Sequence, residues 1–109
     1  ALLIRDEHLY VFFTNRGDEP ERIMLSTISL KGDGSEWVAR EPIEVLRPEK
    51  DYEGATLPLK ASRGGYIDER VHQLRDPAIY QEGDKTYLLY SVAGESGIAI
   101  AEIRFDELN

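Results

Sequence analysis

Arg75, Asp76 and Pro77 stand directly in front of an apolar stretch, "RDPAIY". A cation, a carboxylate and a rigid ring set side by side have two physical readings. Either the carboxylate does acid–base or ligand-holding work at the mouth of a strand, or the charges secure a corner of the fold. Proline fixes its own φ and disfavours the helical region for the residue before it. The triplet therefore predicts an extended Asp76 whose carboxylate projects from the start of a strand. Arg75 should then turn to the opposite side and pair with some other neighbour. His72 and Arg70 lie on the approach to Asp76 and are candidates for contact with a ligand, although a lone loop histidine is commonly incidental. Glu95, in the turn "AGESG", reads as a solvated carboxylate.

Other motifs carry less chemistry than their letters promise. "RGD" at residues 16–18 falls in a hairpin turn, where Gly and Asp are expected for conformational reasons. "GESG" is no nucleophile elbow, because Ile98 stands where that motif requires glycine. "KGDGSEW" offers Asp33 and Glu36 without the alternating ligand series of a calcium loop. With 2 His and no Cys, a structural zinc site is disfavoured, and disulfides and thiolate nucleophiles are excluded. No metal site and no cofactor is predicted.

The formal net charge of −8 argues against nucleic acid and anionic membrane surfaces as partners, since both demand a cationic footprint. Apolar residues make up 41% of the chain and charged ones 31%, the balance of a globular domain. No apolar run approaches the roughly 20 residues of a membrane-spanning helix, and no targeting segment is readable, which leaves the compartment open. The 109 residues are about one domain's worth of chain. Because the sequence starts at Ala1 within an apolar run, it reads as a piece of a longer protein, truncated at the N-terminus and natural at the C-terminus.

The elements that would position these residues repeat. "LYVFFTNRGDEPERIMLSTI" (residues 9–28) aligns with "TYLLYSVAGESGIAIAEI" (residues 86–103): Tyr10 falls on Tyr87, Val11 on Leu88, Phe12 on Leu89, Phe13 on Tyr90, Thr14 on Ser91 and Gly17 on Gly94. After a two-residue shortening in the turn, Ile23 falls on Ile98, Leu25 on Ile100 and Ile28 on Ile103. An apolar leading strand precedes each copy. Any two β-hairpins share some of this, but the matched aromatic and hydroxyl order goes further than hydrophobicity. In the middle strand both faces are apolar, with Leu9, Val11 and Phe13 on one side and Tyr10 and Phe12 on the other. Such a strand needs something packed on each side of its sheet, as radially stacked propeller blades provide.

The predicted fold is accordingly all-β, about two antiparallel blades of a propeller. Residues 1–46 form the first blade, residues 47–75 a connecting loop, and residues 76–109 a second, incomplete blade. Residues 35–46, "SEWVAREPIEVL", read as the first blade's fourth strand, placed at an edge because Pro42 cannot donate to a ladder. The long connection shows weak periodicity, and loops of that length are usually functional or disordered.

The blade pattern "RDPAIYQEGDKTYLLYSVAGESGIAIAEI", with "VLRPEKDYEG" leading toward it, resembles the five-bladed propeller glycosidases: arabinanase, β-xylosidase, invertase-like and mannoside-phosphorylase-like enzymes. Those families place an Asp-Pro at the start of a blade's innermost strand, and in the invertase-like branch the Asp of Arg-Asp-Pro stabilises the transition state. The resemblance implies that Asp76 is catalytic, and that Glu53, matching the Trp/Tyr-Glu-Gly stretch of these families, is a second catalytic carboxylate. Arg75, His72 and Arg70 would bind substrate. Glycoside cleavage sets two carboxyl groups about 5 to 5.5 Å apart for retention or roughly 6.5 to 9.5 Å for inversion, and a propeller brings them from different blades to one axis.

The resemblance thus implies part of a carbohydrate-active, glycoside hydrolase-like propeller whose partner is a glycan or oligosaccharide. A non-catalytic sugar-binding or protein-interaction scaffold is the alternative. This chain alone is expected to be inactive, because carboxylates from other blades are absent from it. Unclosed blades would leave apolar faces and strand edges open, so self-association or pairing with the missing blades is also expected.

Overall fold

The computed structural model describes residues 1–108. Period-two alternation and turn residues fold the chain into two antiparallel meanders. Sheet 1 holds β1 (Leu2–Arg5), β2 (His8–Phe13), β3 (Ile23–Ser29) and β4 (Ile43–Leu46) in sequential order. Sheet 2 holds β5 (Arg75–Glu82), β6 (Lys85–Val92) and β7 (Gly97–Glu102), also in order. The protein is all-β, with three short 3-10 turns and no α-helix among the described residues.

Strand registers decide which side chains share a face. In sheet 1, Leu3 lies opposite Tyr10 and Phe12 opposite Leu25, so these four point to one side. In sheet 2, Leu88 pairs with Ile79 and Ala101, and Tyr90 with Ala99. Those two faces meet: Phe12, Ile23 and Leu25 from sheet 1 form one buried cluster with Leu88, Tyr90 and Val92 from sheet 2 and Leu74 from the connecting loop. Truncating a side chain such as Leu88, buried on all sides, costs about 2 to 5 kcal/mol.

One local expectation is corrected. The fourth strand does not run from Ser35 to Leu46. Asp33 caps a 3-10 turn at Gly34–Glu36 by accepting from the Ser35 amide at 3.0 Å. Only a single bridge, Ala39 to Ile28, forms before β4 starts beyond Pro42. A local side-chain cap and a missing N–H together outcompete the ladder. The connecting loop, by contrast, is built into the core. Val71, Gln73 and Leu74 are fully buried within it, and Ser62 and Glu53 nearly so.

Candidate functional site

Arg75 opens β5 and is buried, as its neighbour Leu74 is. Its Nη1 donates to the Gly65 carbonyl at 2.8 Å and its Nη2 to the Arg63 carbonyl at 3.1 Å. Its Nε donates to Gln73 Oε1 at 3.1 Å and lies 3.5 Å from Glu21 Oε1. Glu21 is itself buried on sheet 1's side of the core and accepts from the Thr14 hydroxyl at 2.6 Å. A planar fork with several donors suits this task. Arg75 ties the loop to both sheets and, as its sequence setting predicts, pairs with neighbours other than Asp76.

Asp76 departs from its expected geometry. Its φ is +53°, in the left-handed region, where Pro77 should have held it extended. The cause is a register shift in β5 between Arg75 and Ala78, where Asp76 and Pro77 stand opposite Tyr90 alone, one residue more than β6 supplies. Aspartate tolerates this conformation better than most side chains, yet sparsely populated backbone of this kind costs on the order of 1 to 3 kcal/mol. The carboxylate is exposed and takes one bond, from the Ser91 hydroxyl at 3.2 Å.

Glu53 closes a 3-10 turn, Asp51–Glu53, and is buried. Its Oε1 accepts from the Glu49 and Lys50 amides, each at 3.0 Å, and its Oε2 from the Tyr90 hydroxyl at 2.6 Å. Burial works against its charge but is outweighed by the Tyr90 hydroxyl and the two amides, which hold the carboxyl below the usual glutamate range. The Tyr90 hydroxyl is pushed upward, first by burial and then by Glu53. Gly54, at φ +96°, follows because a Cβ there would stand 2.6 Å from the Val71 carbonyl oxygen.

Tyr90 and Ser91 are neighbours on β6, so they project to opposite faces of sheet 2. Glu53 is therefore held from the inner face and Asp76 from the outer one. The structure does not bring these two carboxylates together as an acid and its partner. His72 is half-buried, and its amide donates to the Pro58 carbonyl at 3.1 Å. Arg70 is exposed beside a shallow surface that also includes Tyr52 and Ile98, away from the cleft that Arg75 lines.

That cleft, of about 590 Å³, is the feature the sequence reading missed. Gln73 and Arg75 contribute to its lining, and Arg63, Tyr66, Asp68 and Glu69 contribute from the loop. Lys60 Nζ and Glu69 Oε1 pair across its rim at 3.1 Å. Tyr66 stands 79% exposed there, and the one signal for it was an aromatic following Gly64 and Gly65 in a loop. No group of three His, Cys, Asp or Glu side chains is placed to hold a metal ion among the described residues.

Two antiparallel sheets packed over one core define the class of the protein, all-β, and comparison with known proteins adds one relative. No family model matches the chain, and no solved structure matches it. It is similar to an uncharacterised protein of Acanthamoeba polyphaga mimivirus, 44% identical over 104 residues. The match covers 94% of this chain and 29% of the viral protein, so the chain spans less than a third of the relative's length.

Proposed function

We propose that the chain contributes two blades to a carbohydrate-active propeller and that its own role is to bind a glycan. The observation that carries this reading is the cleft bounded by Arg75 and the loop. Its volume lies within the range of small-molecule sites, and it combines an exposed aromatic ring with a few charged groups. Tyr66 offers an apolar ring face and a polar tip, the combination that suits a pyranose or furanose ring. Asp68, Glu69 and Arg63 supply acceptors and donors for hydroxyls. Arg75 serves indirectly, by fixing the carbonyls of the loop that forms the wall.

Catalysis by this chain alone is disfavoured. A general acid at neutral pH needs a raised pKa, whereas Glu53 is lowered and fully hydrogen-bonded. Asp76 remains free to meet a ligand, and a glycoside hydrolase-like whole protein would need further carboxylates from outside this chain. The alternative, a protein-interaction scaffold, is favoured by the exposed apolar side chains Tyr80, Ile98 and Ile100 on sheet 2.

NMR titration of the 109-residue chain with arabino-, xylo-, fructo- and manno-oligosaccharides tests the reading. Perturbations are expected around residues 60–69, with binding at least tenfold weaker, about 1.4 kcal/mol, in Tyr66→Ala. Chromogenic glycosides should remain uncleaved. Absence of any response at millimolar sugar, or equal binding by Tyr66→Ala, defeats the proposal.

A further inference from the structure

The two sheets meet in a way that their sequence repeat makes directional. Under the repeat, Leu3, Tyr10, Phe12 and Leu25, which share the inner face of sheet 1, correspond to Tyr80, Tyr87, Leu89 and Ile100. Those four lie together on the outer face of sheet 2, where Tyr80 pairs with Tyr87 and Leu89 with Ile100. In the same alignment Val11 and Phe13 correspond to Leu88 and Tyr90. Leu88 and Tyr90 form the inner face of sheet 2, but Val11 lies on the outer face of sheet 1, opposite Leu2. The observed sheet-to-sheet interface thus joins the front of one repeat to the back of the next. One front and one back of the same kind are left uncovered.

The front left by sheet 2 is apolar and open, and the back left by sheet 1 is open along β1, while Met24 and Ser26 on the same face of β3 are buried. Ile98 is 77% and Ile100 57% exposed on the front left by sheet 2, while Leu2 and Ile4 are 66% and 68% exposed on the back left by sheet 1. Contiguous apolar exposure of this kind marks an association surface. We propose that a second copy of this chain fills each face, the outer face of sheet 1 in one molecule packing on the outer face of sheet 2 in the next. The internal interface is the template, continued by the same residue positions. Such a contact is heterologous, so it builds a ring or an open stack rather than a two-fold dimer. This inference rests on the repeat and its packing and does not use the glycan-binding cleft; it differs from the two-blade reading in covering both faces with further copies of this chain in place of further blades.

A complementation experiment tests it. One variant carries Ile98→Lys and Ile100→Lys, blocking the front; the other carries Leu2→Lys and Ile4→Lys, blocking the back. All four positions are exposed, and far-UV circular dichroism checks that both variants fold. Light scattering coupled to size exclusion should find the wild type growing past the dimer with concentration and each variant monomeric. Their equimolar mixture should be a one-to-one dimer, joined by the intact front of one and the intact back of the other. A wild type that stays monomeric overturns the proposal and leaves the faces to other segments of a longer protein. A variant that dimerises by itself, or a mixture that stays monomeric, overturns it as well.

Discussion

Arg75 and Asp76 are adjacent in the chain and opposite in character. Arg75 is buried among two loop carbonyls, Gln73 and Glu21; Asp76 is exposed, holds a left-handed φ and has a single hydroxyl for company. Glu53 belongs with Arg75, since each of its oxygens is occupied from within the protein. The difference separates charge that organises the fold from charge left free to meet something else. A buried ionic group is strongly held by its partners, and removing one partner costs far more than an exposed pair ever contributes.

Removing Arg75 should break the molecule hardest. Arg75→Ala strands Glu21 as a buried charge and frees the carbonyls of Arg63 and Gly65, so a loss of about 3 to 5 kcal/mol is expected. Chemical denaturation followed by tryptophan fluorescence and circular dichroism measures it. A loss under about 1 kcal/mol, the range of an exposed pair, would place Arg75 with Asp76 and erase the contrast.

Glu53 comes next. Its carboxyl is lower in the folded protein than in the unfolded chain, so the native state binds fewer protons than the unfolded state as pH falls. The stability it contributes is therefore complete above the unfolded glutamate value, about 4.3, and drains away as pH falls through the lower folded value. Glu53→Gln removes the charge from three hydrogen bonds and should cost about 1.5 to 3 kcal/mol at pH 7. The variant should also lose part of the wild-type decline in stability between neutral pH and acid. Parallel stability-against-pH curves for the two proteins would show that Glu53 does not carry that decline.

The hairpins were legible because alternation and turn residues act over a few positions: Tyr10 and Phe12 announced a face, and the aligned Tyr87 and Leu89 matched it. Arg75 does pair away from Asp76 as its sequence setting predicts, but the extended backbone behind that expectation is not formed at Asp76, whose φ is +53°. The role of Glu53 was not, because its partner Tyr90 is 37 residues away and only the packed loop brings them together. The cleft at Tyr66 escaped for the same reason: the loop that lines it is held by Arg75 through the Arg63 and Gly65 carbonyls, and no local pattern encodes that. The outer strand of sheet 1 was misjudged where Asp33, a local cap, competed with a ladder whose register nothing in the sequence revealed.

Asp76 should respond least in stability and in the opposite sense. Its +53° φ is relieved by glycine, which adopts positive φ without a Cβ penalty, and the bond it would forfeit is an exposed one. Asp76→Gly is therefore expected to lie between neutral and about 1 kcal/mol more stable, the gain from relaxed backbone being offset by glycine's extra freedom in the unfolded chain. Asp76→Ala keeps the Cβ and loses the side chain's local bonding, so it should fall below the wild type. The order Gly above wild type above Ala, read from denaturation midpoints, would mean that the fold tolerates this aspartate rather than depends on it. A loss of 2 kcal/mol or more in Asp76→Gly would mean the reverse: the Ser91 bond secures the bulge, and Asp76 belongs with the framework that Arg75 and Glu53 define.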